Sequence, residues 1–423
     1  MKKIFLLMIM VVNIFAVDAT MSIVNQGVVL PKIVVQDATT MVSDEALKQK
    51  FFKLVVGDLK VGATFEVLDE YISTSYEGDP VSNVMSEKGA QIIYRYALEG
   101  SKSSNLKLKV KILDPKKAQV RYEKIYNISN GEKFPYLAHK SVMDLIDNLN
   151  MSPVKWMANS IIFAREISPM KSEIIVADYT LTYQKTILRD GLNVFPKWAN
   201  NEQSAFYYTK YNKSNLSIYK YDMASGRSTK IIDGDGMLVA SDVSKDGSKL
   251  LLTMAPHDQP DIYIYDLNSK NLKQLTDYKG IDVNGNFVDN DSRIVFVSDR
   301  LGYPNIYSQG INDKTVEQMV YQGRNNNSVS TYQNYIVYSS REDNVGQFGT
   351  RDFNIYLIST QTNYVRQLTS GGKNNFPRFS NDGGSIIYIK DMGGQSAVGI
   401  IRVNENKSFQ FPLKIGKIQS VDW

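Results

Sequence analysis

A six-bladed β-propeller preceded by a small α/β domain is the fold this sequence predicts, and three observations predict it. The dipeptide Ile-Tyr recurs at Ile218-Tyr219, Ile262-Tyr263, Ile306-Tyr307 and Ile355-Tyr356, at spacings of 44, 44 and 49 residues. A Gln-Leu-Thr ending closes two of these copies at Gln274-Leu275-Thr276 and Gln367-Leu368-Thr369, with a weaker Gln318-Met319-Val320 between them. An apolar residue opens each copy at Trp198, Val243, Phe287, Val329, Phe379 and Trp423, so the array stops where another copy would start. Periods of 40 to 50 residues with several short strands per copy belong to propellers, whose blades bury their faces only against neighbours.

A solenoid would share the period but needs polar caps at its ends. Here Ile418-Gln-Ser-Val-Asp-Trp423 reads as the innermost strand of an unfinished copy. The other strands of that copy are Ser160–Ala164, Glu173–Asp178 and Lys185–Leu188. The C-terminal strand is therefore expected to complete blade 1, which removes every free sheet edge from the ring.

The chain of 423 residues is too long for one core and predicts more than one domain. Its 26 Tyr and 27 Gly suit strands and turns. The net charge of +5 is small, and the basic residues form no long run, which argues against nucleic acid as a partner. With no cysteine, disulfides, thiolate metal sites and lipid attachment through cysteine are excluded. Lys2-Lys3, the apolar run Ile4–Phe15 and small residues at Ala16 and Ala19 form an export leader, cut after Ala16 or after Ala19. No later stretch is apolar enough to span a bilayer. The expected layout is a leader over 1–19, an α/β domain over 20–151 and the propeller over 152–423, in a periplasmic protein that reads as a monomer and meets membranes only through its partners.

In the α/β domain, Val28–Asp37 reads as a strand, with Pro31 marking an edge or break. Ser43 is expected to cap a helix that starts with Asp44 and Glu45 and buries Leu47, Phe51, Leu54, Val55 and Leu59, with Gly62 just beyond its end. Strands follow at Phe65–Leu68, Gln91–Leu98, Leu106–Leu113 and Gln119–Ile128, then a helix over Tyr136–Leu149 stopped by Asn150 and Pro153. Two helices on one face of a mixed sheet are expected.

Catalytic chemistry finds little support. The nearest approach to a nucleophile elbow, Gly394-Gln-Ser396-Ala-Val-Gly399, has its second glycine one residue late. The two histidines, His139 and His257, are far apart, and without cysteine a zinc site would need an unusual ligand set. Asp233-Gly-Asp235-Gly and Asp289-Asn-Asp291-Ser lack the spacing of a calcium loop and read as turns. No helix follows Gly371-Gly372 or Gly383-Gly384, so neither pair cradles a phosphate. No enzyme activity, metal or other cofactor is expected.

The remaining chemistry is surface. Loops entering the innermost strands line one mouth of a propeller's channel, and here they are polar and rich in Asn. Asn193, Asp235, Asp282, Asn325, Asn326 and Asn375 are the candidate partner-binding residues of that mouth, as clustered donors and acceptors on a rigid ring.

The chain as a whole resembles the TolB family. The family's D-L-x-x-S-G-x-F-x-x-L is echoed by Asp58-Leu59-Lys-Val-Gly62-Ala-Thr-Phe65-Glu-Val-Leu68, with the glycine one place early and the serine missing. Its P-x-W-S-P-D-G-x-x-I is similar to Pro196-Lys-Trp198, to Ser244-Lys-Asp246-Gly247-Ser-Lys-Leu250 and to Pro377-Arg-Phe379-Ser380-Asn-Asp382-Gly383. Gln419-Ser-Val-Asp-Trp423 is similar to its tryptophan-bearing last strand. The S-P-D-G turn is degraded at Val288–Asp291 and Thr331–Asn334. The resemblance implies a non-catalytic periplasmic component of a Tol-Pal system, supporting outer-membrane integrity and constriction during division. It implies that a Pal-like peptidoglycan-associated lipoprotein docks over the propeller mouth and that a TolA-like inner-membrane protein binds the mature N-terminus. That terminus is about Val17–Gln26, in which Met21, Ile23 and Val24 could add a strand to a partner sheet. Two other readings stand beside it. A propeller gating a hydrolase site needs a catalytic domain for which the N-terminal segment leaves no room, whereas a periplasmic glycan- or other ligand-binding propeller would use the tyrosines and the Asn-rich mouth.

Overall fold

The structure, a computed structural model, describes residues 29–78, 88–212, 215–341, 352–362 and 364–423. The leader and the candidate residues Met21, Ile23 and Val24 lie outside the described residues.

The N-terminal domain is a five-stranded sheet in the order β2-β1-β3-β4-β5. Its strands are β1 (Lys32–Asp37), β2 (Glu66–Ser73), β3 (Ile92–Gly100), β4 (Leu106–Asp114) and β5 (Gln119–Ile128). β1 runs parallel to both neighbours and the rest is antiparallel, which is the mixed sheet expected. Helices α1 (Glu45–Gly62) and α2 (Phe134–Asn148) share one hydrophobic core with the face of β3 and β4 that carries Tyr94, Tyr96, Leu98, Leu108 and Val110. The α1 cap differs from expectation. Asp44, not Ser43, occupies it and accepts from the Leu47 N–H at 3.0 Å, which places a full negative charge at the positive end of the helix. Gly62 lies inside the last turn because the helices approach closely there: a Cβ would sit 2.7 Å from Ile146 of α2.

The rest of the chain folds into four-stranded antiparallel sheets, each sequence copy being one sheet with its first strand innermost. Three stand alone in the pairing, and the C-terminal strand Lys417–Asp422 joins Ile161–Ser168 to complete another. An eight-stranded sheet divides at the single parallel pair Phe353–Lys373 into two more. We number these six units as blades from the one that the C-terminus completes. Innermost strands for blades 2 to 6 are Leu192–Trp198, Leu238–Val243, Asp282–Val288, Arg324–Tyr332 and Lys373–Phe379.

Strand register puts one residue of each blade at a common level of the channel: Asp422, Lys197, Asp242, Asn286, Ser330 and Arg378. Blades 1, 3 and 5 present acceptors there. Asp422 accepts the Trp198 N–H at 2.9 Å, Asp242 the Phe287 N–H at 2.9 Å and Ser330 the Phe379 N–H at 3.4 Å, each from the next blade. Blades 2, 4 and 6 present donors. Lys197 lies 3.3 Å from Asp422 and 3.4 Å from Asp242, while Asn286 and Arg378 both donate to the Val329 carbonyl. Trp423 closes the circuit by donating its indole N–H to the Phe379 carbonyl at 2.8 Å. Alternation lets each acceptor sit beside a donor, so the hub is polar yet paired around the ring. In blade 5 the register position of Phe287 and Phe379 belongs to Thr331, which pairs with Ile336, and not to Val329. Thr331 instead donates to the Phe287 carbonyl at 2.6 Å.

Candidate docking site

The two ends of the ring are chemically different. At the end where the innermost strands finish, the N-terminal domain covers blades 1 and 6. Trp156, in the connection between the domains, packs on Trp423 with ring centroids 5.1 Å apart, and Arg402 of blade 6 donates to the Pro153 carbonyl at 3.1 Å. Between the domains, fully buried, His139 of α2 lies 2.8 Å from Asp58 of α1 and 3.3 Å from Asp178 of blade 1. Tyr179 also donates to Asp58, and Thr180 to Asp178. Burial alone would push the His139 pKa down, but Asp58 and Asp178 outweigh it and raise it to about 9, so the ring is an imidazolium at neutral pH. Burial dominates at Asp58 and raises its pKa despite the histidine. Sequence reasoning named no partner for His139. Its partners are 81 and 39 residues away and only the fold joins them.

At the other end no element of the N-terminal domain covers the described residues. The candidate polar residues of this mouth divide into two groups. Asn193, Asp282 and Asn326 are buried and committed to the blades. Asn193 donates to the Asp190 carbonyl at 2.9 Å, and Asn326 to the Gln322 carbonyl and to Asn305 Oδ1, both at 2.9 Å. Asp282 accepts from the Arg300 guanidinium at 3.0 Å. Each pins the turn or loop beside its innermost strand, a backbone role for a short polar side chain. Asp235 is exposed, and Asn325 and Asn375 are half-buried, with Asn325 at φ 60° in the left-handed region that Asn tolerates. In blade 6 the pinning residue is Asn374, which donates to the Gly371 carbonyl and to Asn354.

Large apolar side chains also stand into solvent at this end. Ile167 and Met170 rise from blade 1, Tyr211 from blade 2, and Met237 and Ile281 from the entries to blades 3 and 4. Leu301 and Tyr303 belong to blade 4, Tyr321 to the entry of blade 5, Met392 to blade 6 and Ile415 to the return into blade 1. Tyr321 and Ile415 are each 75% exposed. Ten of the thirteen large hydrophobic side chains exposed on the described propeller lie at this end, a concentration that scattered surface residues do not produce. Sequence reasoning missed them because it counted the polar residues of these turns. Met or Ile beside Gly at Gly236-Met237, Gly280-Ile281, Met392-Gly393 and Ile415-Gly416 was the available signal.

The hub behind this mouth holds its charge firmly. Burial works against the Lys197 ammonium, but Asp422 and Asp242 prevail and raise its pKa, whereas burial lowers that of Arg378. Ser396 of the glycine-flanked motif lies on a strand and accepts the Ile418 N–H at 3.1 Å. Asp233 is held by Ser217 and Lys230, and Asp291 accepts the Lys245 N–H. Among the described residues no group of three or more His, Asp or Glu side chains is placed so that it could hold a metal ion. Nor, among them, is any helix long and apolar enough to cross a membrane.

Residues 158–423 match the family model described as the TolB β-propeller domain. Over its whole length the chain is 51% identical to the Tol-Pal system protein TolB of Campylobacter jejuni, of which it covers 100%. It is 43% identical to the protein of the same name in Wolinella succinogenes, over 97% of each chain. The crystal structure of TolB from Acinetobacter baumannii shares the fold, with a TM-score of 0.73 over 93% of this chain and 96% of that one at 18% identity. A propeller with a smaller N-terminal domain, matched in sequence from end to end, makes this chain a member of the TolB family.

Proposed function

We propose that this chain is a non-catalytic periplasmic scaffold of a Tol-Pal system, exported by its leader and built as two domains. A Pal-like lipoprotein docks on the uncovered end of the ring, and a TolA-like inner-membrane protein takes the segment around Met21, Ile23 and Val24. Through them the protein couples the two membranes during constriction. The observation that carries this reading is the rim of exposed apolar side chains contributed by all the blades at one end. Large aromatic and Met side chains on a rigid face are what protein interfaces bury, while the hub behind them is paired within the ring. The half-buried and exposed polar residues Asp235, Asn325 and Asn375 would then supply hydrogen bonds around the apolar contacts. Relatives named as Tol-Pal system proteins support the choice of partners.

Affinity purification of the exported chain from envelope extract tests it. Removing residues 17–26 is expected to lose a TolA-like protein and keep a Pal-like one, and Tyr321→Asp with Met392→Asp is expected to do the reverse. Recovery of neither partner by the unaltered chain would contradict the proposal.

A further inference from the structure

A cleft of about 370 Å³ opens between blades 5 and 6, at the end of the ring opposite the apolar rim. Its walls are aromatic: Tyr332 and Tyr335 from the first turn of blade 5, Tyr364 from just before its outer strand, and Phe379 from blade 6. Tyr364 is 69% exposed and Tyr335 40%, so both side chains are open to solvent. Deeper in, Tyr332 and Phe379 pack with centroids 5.9 Å apart. The Tyr332 ring lies flat on Gly383 (φ 69°), where an added Cβ would fall 2.1 Å from it, so this wall exists only because that turn carries glycine.

Two charged side chains of opposite sign complete the lining. Arg366 is held by Asn406 at 2.7 Å. Asp382 uses Oδ1 to accept from Ser380 and the Gly384 N–H, while its Oδ2 has no hydrogen-bond partner. At the junction of blades 3 and 4 the matching turns are tied directly, Lys245 N–H to Asp291 at 2.8 Å. Between blades 5 and 6, Gly383 stands in register where Asp291 stands in blade 4, and the space stays open.

We propose that this cleft binds a neutral saccharide of one to three rings. A pyranose has an apolar face that stacks on a tyrosine ring and a rim of hydroxyls that both donate and accept. The lining offers flat aromatic walls, one planar cation and one carboxylate, with no net charge to select an ion. Its size is within the range of small-ligand sites. The aromatic edges exclude water from one side of the sugar while Arg366 and Asp382 fix its orientation.

The test is saturation-transfer NMR of the full chain with cellotriose, maltotriose and triacetylchitotriose, followed by calorimetric titration of any that respond. At least one is expected to bind, with Tyr364→Ala weakening it about tenfold, the loss of one stacked ring, and Arg366→Ala by a similar factor. Met392→Ala, at the opposite end, is expected to leave it unchanged. Both Tyr364 and Met392 are exposed, so neither change threatens the fold. No transfer to any of the three sugars would overturn the proposal, as would affinity that survives both Tyr364→Ala and Arg366→Ala.

Discussion

The covered and uncovered ends of the ring are built from the same kind of segment, short turns between neighbouring strands, yet they spend their residues in opposite ways. At the covered end, charge is buried and matched: His139 lies between Asp58 and Asp178, and Trp423 lies between Trp156 and the Phe379 carbonyl. At the uncovered end, polar side chains such as Asn193 and Asn326 turn inward to hold the backbone, and Tyr321, Ile415 and Met392 face water. The first arrangement stabilises the fold, and the N-terminal domain closes it off over blades 1 and 6. The second contributes little to folding, since those side chains bury little of their surface, and leaves apolar area for another surface to cover. Stability and binding should therefore separate by end.

Changes at the covered end should have the largest effects. Removing residues 417–423 leaves blade 1 without its innermost strand and is expected to abolish the cooperative thermal transition, as read by circular dichroism. Trp423→Ala keeps the strand but deletes a large side chain only 7% exposed. It should cost about 3 kcal/mol in urea unfolding. Asp58→Asn leaves the imidazolium with one carboxylate, and a loss of about 3 kcal/mol is expected for breaking a dry charged pair.

The same cluster sets a pH dependence. His139 takes up its proton more readily in the folded chain, with its pKa raised from 6.5 to about 9. Its stabilisation is therefore complete below the unfolded pKa and is lost as pH rises through about 9. Melting temperature should fall more steeply between pH 7 and 9.5 in the unaltered chain than in His139→Gln. Equal slopes would show that the histidine carries no charge in the seam.

The hub should respond less. Lys197→Met removes the cation between Asp422 and Asp242, but its side chain is 18% exposed, whereas His139 and Asp58 are fully buried. A loss of about 1 to 2 kcal/mol is expected, below that of Asp58→Asn.

How much of this was legible in the sequence follows from the range of the interactions involved. The blades were legible because each copy repeats its pattern every 44 or so residues, and the C-terminal strand because it matched the missing piece of blade 1. The cap of α1 was displaced by one residue because Ser43 and Asp44 both suit the position, and only the side-chain direction decides. The seam was hidden, since Asp58, His139 and Asp178 come from two helices and a blade. The turns at the uncovered end were legible, but not which of their side chains face solvent. Asn in a turn can serve the backbone or face a partner with the same composition, and at Asn193 and Asn326 the backbone claims it. Exposed Met, Ile and Tyr in turns have no such backbone role, which makes them the better guide.

The smallest effect on stability and the largest on association should come from the uncovered end. The direct measurement is a paired one on Tyr321→Ala combined with Met392→Ala: the urea midpoint of the purified chain, and its affinity for an immobilised Pal-like lipoprotein. The expected result is a midpoint unchanged within about 0.5 kcal/mol and an affinity lower by tenfold or more. A lowered midpoint with unchanged affinity would contradict the division of labour between the two ends.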